Sequence, residues 1–295
     1  MKKTQQIIDR LTVTPGRKKV SLKKFDTGWT AHIKDRKIAQ KLLKKGIKDL
    51  SDLQEKLYAQ DTYSVLIIFQ AMDAAGKDGT IRHVMSGVNP QGCQVYSFKA
   101  PSLEELDHTY LWRAYHAMPE RGRIGIHNRS HYEEVLIARV HPEILANQHL
   151  PKAIKAHKHL WKQRFAQIND FERNLSENGV VIIKFFLNVS KDEQKRRFLE
   201  RIENPSKNWK FSMTDTTERA YWDDYMKAYE EVFEHTSTAW APWHVIPADN
   251  KWFMRLAVSE VINRRLETLD LHFPILDDAK MRDLAVAKEA LRHER

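Results

Sequence analysis

Hydrophobic positions along the chain gather into short, near-continuous runs separated by longer amphipathic stretches. YSVLIIFQ (63–70) and VVIIKFFLNV (180–189) are apolar and rich in β-branched residues, the pattern of strands buried on both faces of a parallel sheet. CQVYSF (93–98), RIGIH (123–127) and WHVIPA (243–248) are shorter runs of the same kind. Between them, helical periodicity predicts elements over TIRHVMSGV (80–88), SLEELDHTYLWRAYHAM (102–118) and KHLWKQRFAQINDFERNLSENG (158–179), the last closed by Gly179. Further helical stretches cover DEQKRRFLERIENPSKNWKFSMTD (192–215), AYWDDYMKAYEEVFEHT (220–236) and a segment from Asn250. Strands spaced by helices mean a parallel, doubly wound sheet with ligands at the carboxyl ends of its strands.

Residues 1–60 are polar and basic, with GRKKVSLKK (16–24) and KLLKKGIK (41–48) preceding a helix through LSDLQEKLYAQ (50–60). They predict an N-terminal basic, helical extension packed onto a core at 61–270, with a helical tail at 271–295. No repeat or low-complexity linker divides the chain further.

The stretch FQAMDAAGKDGT (69–80) sits between a strand and a helix, the setting a phosphate cradle requires. It departs from the strict Walker A pattern at both ends: Ala71 replaces the first Gly, and Asp78 stands where Ser or Thr ligates Mg²⁺. Backbone amides from Ala74, Ala75 and Gly76 through Lys77, Asp78 and Gly79 are expected to face an anion. Lys77 supplies the point charge, with Thr80 and Arg82 following on the helix. An acidic Asp73 in such a loop makes sense if Mg²⁺ sits between it and the phosphates, since magnesium is held by one or two carboxylates plus substrate oxygens. Mn²⁺ is the alternative ion.

GRIGIHNRSHYEEV (122–135) ends a strand where a Walker B acid is expected, but offers Asn128, which gives magnesium no charge. The burden shifts to Asp73 and to Glu133, while Arg129 is placed to bind a phosphate bidentately. His127, His131 and His141 do not share a helix face, which argues against a metal cluster. Six cations in sixteen residues, Lys195, Arg196, Arg197, Arg201, Lys207 and Lys210, occupy the place of a kinase lid at about 191–225. Glu200 and Glu203 support the rival reading of a solvated helical face. Trp209 and Phe211 could cover a base or anchor packing. Trp222, Tyr225 and Tyr229, at helical spacing, belong to the core.

The 295 residues are 42% hydrophobic, enough for a sizeable core, and carry a net charge of +10. That charge draws polyanions without choosing among nucleic acid, nucleotides and inorganic phosphate chains. The start has no apolar leader region, no apolar run suggests a membrane span, and Cys93 alone excludes an internal disulfide framework. A cytoplasmic protein, with no membrane partner, is expected.

MDAAGKDGT, NPQGCQVYSFKAPS, ERGRIGIHNRSHYEEVLIARVHPE, KFFLNVSKDEQKRRFLERIENPSKNWKFS and TAWAPWHVIPADNKWFMRL together resemble the polyphosphate kinase 2 family, from about Tyr63 to Ile262. The resemblance implies a P-loop kinase-like three-layer α/β/α fold with a parallel sheet and a helical lid. It implies reversible, Mg²⁺-aided phosphoryl transfer between inorganic polyphosphate and nucleotides. Asp73, Lys77 and Thr80 carry over by position, and Arg129 matches the arginine of the Walker B region. Many members that prefer nucleoside diphosphates have D-R-S-W-Y-N-R, where this chain has Asn128, Glu133 and Glu134 in place of Asp, Asn and Arg. The variant resembles the subgroup that accepts AMP as well as ADP, taking AMP to ATP, with Glu133 in acceptor selection. Asn128, Glu133, Arg197, Arg201, Lys207 and Lys210 form the expected nucleotide and lid set; catalysis falls to Asp73, Lys77 and Arg129. The family also suggests a homo-oligomer, dimer or tetramer. Two rivals stay open: an ATP-dependent nucleoside monophosphate kinase, and a nucleic-acid-binding P-loop protein, for which no nucleic-acid module is recognisable.

Overall fold

The computed structural model describes residues 2–33 and 35–294. In chain order its longer elements are α1 (Lys2–Leu11), α2 (Arg36–Gln60), β1 (Ser64–Gln70), α3 (Lys77–Val84), β2 (Cys93–Ser97) and β3 (Ile124–Asn128). These are followed by α4 (Leu160–Glu177), β4 (Val180–Asn188), α5 (Lys191–Glu203), α6 (Trp222–Thr236), β5 (Trp243–Pro247), α7 (Lys251–Glu267) and α8 (Asp278–His293). All five strands run parallel in the order β2-β3-β1-β4-β5. Helices α2, α3 and α7 pack together as one layer and α4 with α6 as another, giving the three-layer α/β/α arrangement expected from the sequence. No described helix is long and apolar enough to cross a membrane.

Every residue of β1 and β4 is buried, as their unbroken apolar runs require, and Trp222, Tyr225 and Tyr229 are buried in the core as their spacing predicts. The edge strand β2, by contrast, is half-exposed. The opposite edge is covered by the N-terminal arm: Thr12 bridges His244 antiparallel, Val13 N–H donates to the Trp243 carbonyl at 2.8 Å, and Ser237 Oγ to the Val13 carbonyl at 2.7 Å. This closes β5 against unwanted pairing.

Three elements differ from the periodicity. Helix α2 starts at Arg36, not near residue 50, because the Asp35 side chain caps it and Gly46 does not end it. A Cβ at Gly46 would sit 2.7 Å from Ser259 Oγ, and the Gly46 carbonyl accepts from Asn263 Nδ2 at 2.8 Å, so the glycine marks close approach of α2 and α7. The helix expected over 102–118 breaks into Leu103–Leu106 and Trp112–His116. Between them Asp107 pairs with His149 and Tyr110 hydrogen-bonds Gln167, tertiary contacts that override local periodicity. The charge-rich stretch 192–215 is likewise interrupted: α5 ends at Glu203, and Asn204 before Pro205 is extended (φ −104°, ψ 109°), as proline imposes on its predecessor. Short turns at Asn208–Lys210 and Met213–Glu218 follow.

Candidate functional site

The carboxyl ends of β1 and β3 lie side by side, with Phe69 opposite Asn128, so the turn after each meets the other. After β1, Ala74 (φ 59°) and Gly76 (φ 109°) turn the chain into α3. A Cβ on Gly76 would meet Met254 Cε at 3.2 Å, which adds a packing reason to the conformational one for glycine here. The first-turn amides of α3 have no intrahelical acceptor and an anion is their natural partner. Lys77 Nζ donates to the Ala71 carbonyl at 2.9 Å, curling over the loop it is meant to serve. Burial lowers its pKa from the usual lysine value, against the pull of Asp73.

After β3, Arg129 adopts φ 64° and its N–H donates to the Phe69 carbonyl at 3.0 Å. Its guanidinium crosses to the P-loop, donating to Asp73 Oδ1 at 2.8 Å. Burial opposes that charge, yet Glu133 and Asp73 outweigh it and raise the Arg129 pKa. Asn128 Nδ2 donates to Asp78 Oδ1 at 2.9 Å, so two of the three departures from the Walker patterns satisfy each other. The charge of Glu133 acts on both Lys77 and Arg129. Asp73, Lys77, Arg129, Asn128 and Glu133 are therefore brought together.

Other predicted residues lie elsewhere. Thr80 is buried, and its hydroxyl donates to the Gly76 carbonyl at 3.0 Å inside α3, a common fate of threonine in a helix. Arg197 is not a mobile lid cation. It is 4% exposed beneath the P-loop, where Nη1 donates to the Ala74 and Ala75 carbonyls at 3.1 and 2.6 Å and Nη2 to Ala248 at 2.5 Å. Glu193 holds its Nε at 2.7 Å and has its own pKa lowered to about 2, first by hydrogen bonds from Arg196 and then from Arg197. Gln194 adds a bond to the Asp73 carbonyl at 2.9 Å. Arg201 pairs with Asp215 at 3.5 Å and Lys207 with Glu200, while Lys210 stays exposed and lies over the ring of Trp209, itself 78% exposed.

Two features had not been singled out in the sequence. Arg255 on α7 reaches the open side of α3: a Cβ at Gly79 would sit 3.9 Å from its Nη2, and its buried Nε has no partner. Burial and the neighbouring Arg82 lower its pKa, which marks two adjacent guanidiniums. On the other side, a cleft of about 670 Å³ opens beside Glu133, with Leu106, Leu111, Ile144 and Leu160 in its wall. Glu134 also lines it, paired with Arg164 and accepting from Gln148 Nε2 at 2.8 Å, so its carboxylate is engaged within the cleft wall. Among the described residues no three His, Cys, Asp or Glu gather as a metal cage.

The Polyphosphate kinase 2 (PPK2) profile matches residues 33–274. The chain belongs to that family. It is 50% identical over 273 residues to the ADP-polyphosphate phosphotransferase of Rhodopseudomonas palustris, covering 92% of this chain and 94% of that protein. It is 46% identical over 225 residues to the AMP/ADP-polyphosphate phosphotransferase of Meiothermus ruber, covering 76% and 80%. The crystal structure of polyphosphate kinase 2 from Arthrobacter aurescens TC1 superposes with a TM-score of 0.82 at 43% identity, covering 91% of this chain and 93% of that one.

Proposed function

We propose that this polyphosphate kinase 2 family member transfers phosphoryl groups reversibly from inorganic polyphosphate to AMP and ADP. The observation that carries the reading is the position of Glu133: its charge acts on the P-loop cations Lys77 and Arg129, and it lines the adjoining cleft. A nucleotide whose base enters the cleft would present its phosphate at the P-loop. The names of the relatives from Rhodopseudomonas palustris and Meiothermus ruber support donor and acceptors alike.

Phosphoryl transfer asks the protein for in-line positioning and charge neutralisation more than for covalent chemistry. Lys77 would exchange the Ala71 carbonyl for a phosphate oxygen, and Arg129 would neutralise equatorial oxygens as charge shifts between donor and acceptor. The first-turn amides of α3 would hold the donor's terminal phosphate, with Arg82 and Arg255 beneath the chain beyond it. Asp73 accepts from Arg129 through Oδ1 only, so its other oxygen fits a hard cation shared with phosphates. Asp73 is thus the residue that would hold Mg²⁺, or Mn²⁺, and the ion would supply further neutralisation of phosphate charge.

The deciding experiment supplies purified protein and Mg²⁺ with AMP or ADP, and with long-chain polyphosphate or ATP as donor, and follows products by chromatography. ADP and then ATP from AMP with polyphosphate is the expected result. Conversion of AMP only when ATP is the donor would replace this reading with an ordinary nucleotide kinase. Use of ADP alone would remove AMP as an acceptor.

A further inference from the structure

Strand β4 is buried at every position, yet one of its residues, Lys184, is charged. Its partner is Glu172 of α4, and both side chains are 0% exposed. Lys184 Nζ donates to Glu172 Oε2 at 2.6 Å, to the Tyr132 hydroxyl oxygen at 2.9 Å and to the Thr236 carbonyl at 2.8 Å. The Tyr132 hydroxyl donates to the other oxygen of Glu172 at 2.8 Å, and His131 Nε2 lies 3.5 Å from that same oxygen.

We propose that Lys184, Glu172 and Tyr132 are positioning residues that fix the turn carrying Arg129 and Glu133 against the P-loop; the inference rests on the function proposed above. A buried ion pair is a poor stabiliser, because apolar side chains of similar volume commonly serve packing as well or better. What it supplies is direction, since its hydrogen bonds fix where the Tyr132 oxygen sits. The turn is tied at successive points: Arg129 N–H to the Phe69 carbonyl, Ser130 Oγ accepting from Gln70 Nε2 at 3.1 Å and from Tyr132 N–H at 3.2 Å, and Tyr132 to the ion pair. With Ser130, His131 and Tyr132 held in the core, Arg129 and Glu133 are left to face the phosphate site. Burial pushes the Tyr132 pKa well up, keeping the hydroxyl a donor; burial also opposes the charge on Glu172, but Lys184 outweighs it.

The test compares Tyr132→Phe, Lys184→Met and the double variant Glu172→Leu with Lys184→Met, using the donor the parent enzyme proves to use. Expected for the double variant is a melting temperature near the parent's, and for Tyr132→Phe a modestly lower one because Glu172 and Lys184 each lose a partner. Both should show kcat lowered by about tenfold or more and an unchanged KM for the donor, as misplacement of catalytic groups produces. Lys184→Met alone leaves a buried carboxylate unpaired and should melt lower. The second substitution should restore melting and leave kcat low, a split that a merely structural pair would not show. A folded double variant with parental kcat overturns the proposal. If the double variant does not fold, Tyr132→Phe, assayed well below its melting temperature, decides: parental kcat, or a loss shared with a changed donor KM, overturns the proposal, and a low kcat with unchanged donor KM supports it. A parent that uses ATP and ignores polyphosphate refutes the donor assignment alone, since the same variants then run with ATP.

Discussion

Arg197 Nη1 donates to the Ala75 carbonyl at 2.6 Å, so the P-loop is gripped from beneath by the helix that opens the charge-rich segment. Any motion of α5 is thereby tied to the conformation of the phosphate cradle.

Arg197→Met should disturb both stability and rate. Buried carbonyls at Ala74, Ala75 and Ala248 lose their donor, a cost of about 3 kcal/mol in total. The loosened loop should cost roughly 10²-fold in kcat. Thermal melting and steady-state kinetics check both; a variant with lowered melting and parental turnover would make Arg197 a support of the fold with no bearing on rate.

The contrast between Arg197 and Arg255 shows how much was legible. Strands β1 and β4, the P-loop and the meeting of Asp73, Lys77 and Arg129 follow from local signals: unbroken apolar runs, a glycine turn and a strand end. Which of several arginines on one basic stretch turns inward is a tertiary fact, decided by the free carbonyls of a loop more than a hundred residues away in sequence. Arg255 lies in a helix whose faces are nearly all buried, so no amphipathic stripe singled it out. Lys184, in contrast, was visible as a lone charge inside an apolar strand, and only its partners needed the fold.

Arg255→Ala should weaken the grip on long phosphate chains. Its Nε is unpartnered and its neighbour Arg82 is another cation, an arrangement that an anion relieves. A lost charge-assisted hydrogen bond predicts roughly a tenfold rise in KM for long-chain polyphosphate, with little change in KM for the acceptor. Triphosphate as donor should be less affected. Equal effects on short and long donors would place Arg255 outside the chain's path.

Glu133→Gln keeps the shape of the side chain and removes its charge from beside Lys77 and Arg129. Turnover with AMP should fall more than turnover with ADP, by about tenfold in the ratio of kcat/KM values, the worth of one charged contact. Equal losses for the two acceptors would show that Glu133 tunes the P-loop cations without selecting the acceptor.

The last prediction concerns acid stability. His127 is buried in β3 between the rings of Tyr96 and Phe98, with Nε2 at 3.0 Å from the Ala117 carbonyl and Nδ1 unpartnered. Burial lowers its pKa to about 4, and the buried His244 is lowered to about 4 by the same cause. In the unfolded chain a histidine titrates near 6.5, so between about pH 6.5 and 4 the unfolded state binds more protons. Stability is therefore whole above about pH 6.5 and falls as the pH drops toward 4. For His127 alone the loss is about 2 kcal/mol by pH 5 and about 3 kcal/mol by pH 4. His127→Phe, which loses the bond to Ala117 but suits an aromatic pocket, should flatten the decline in melting temperature from pH 7.5 to 5. His127→Phe combined with His244→Phe should flatten it further. An unaltered slope in both variants would assign the acid sensitivity to other groups.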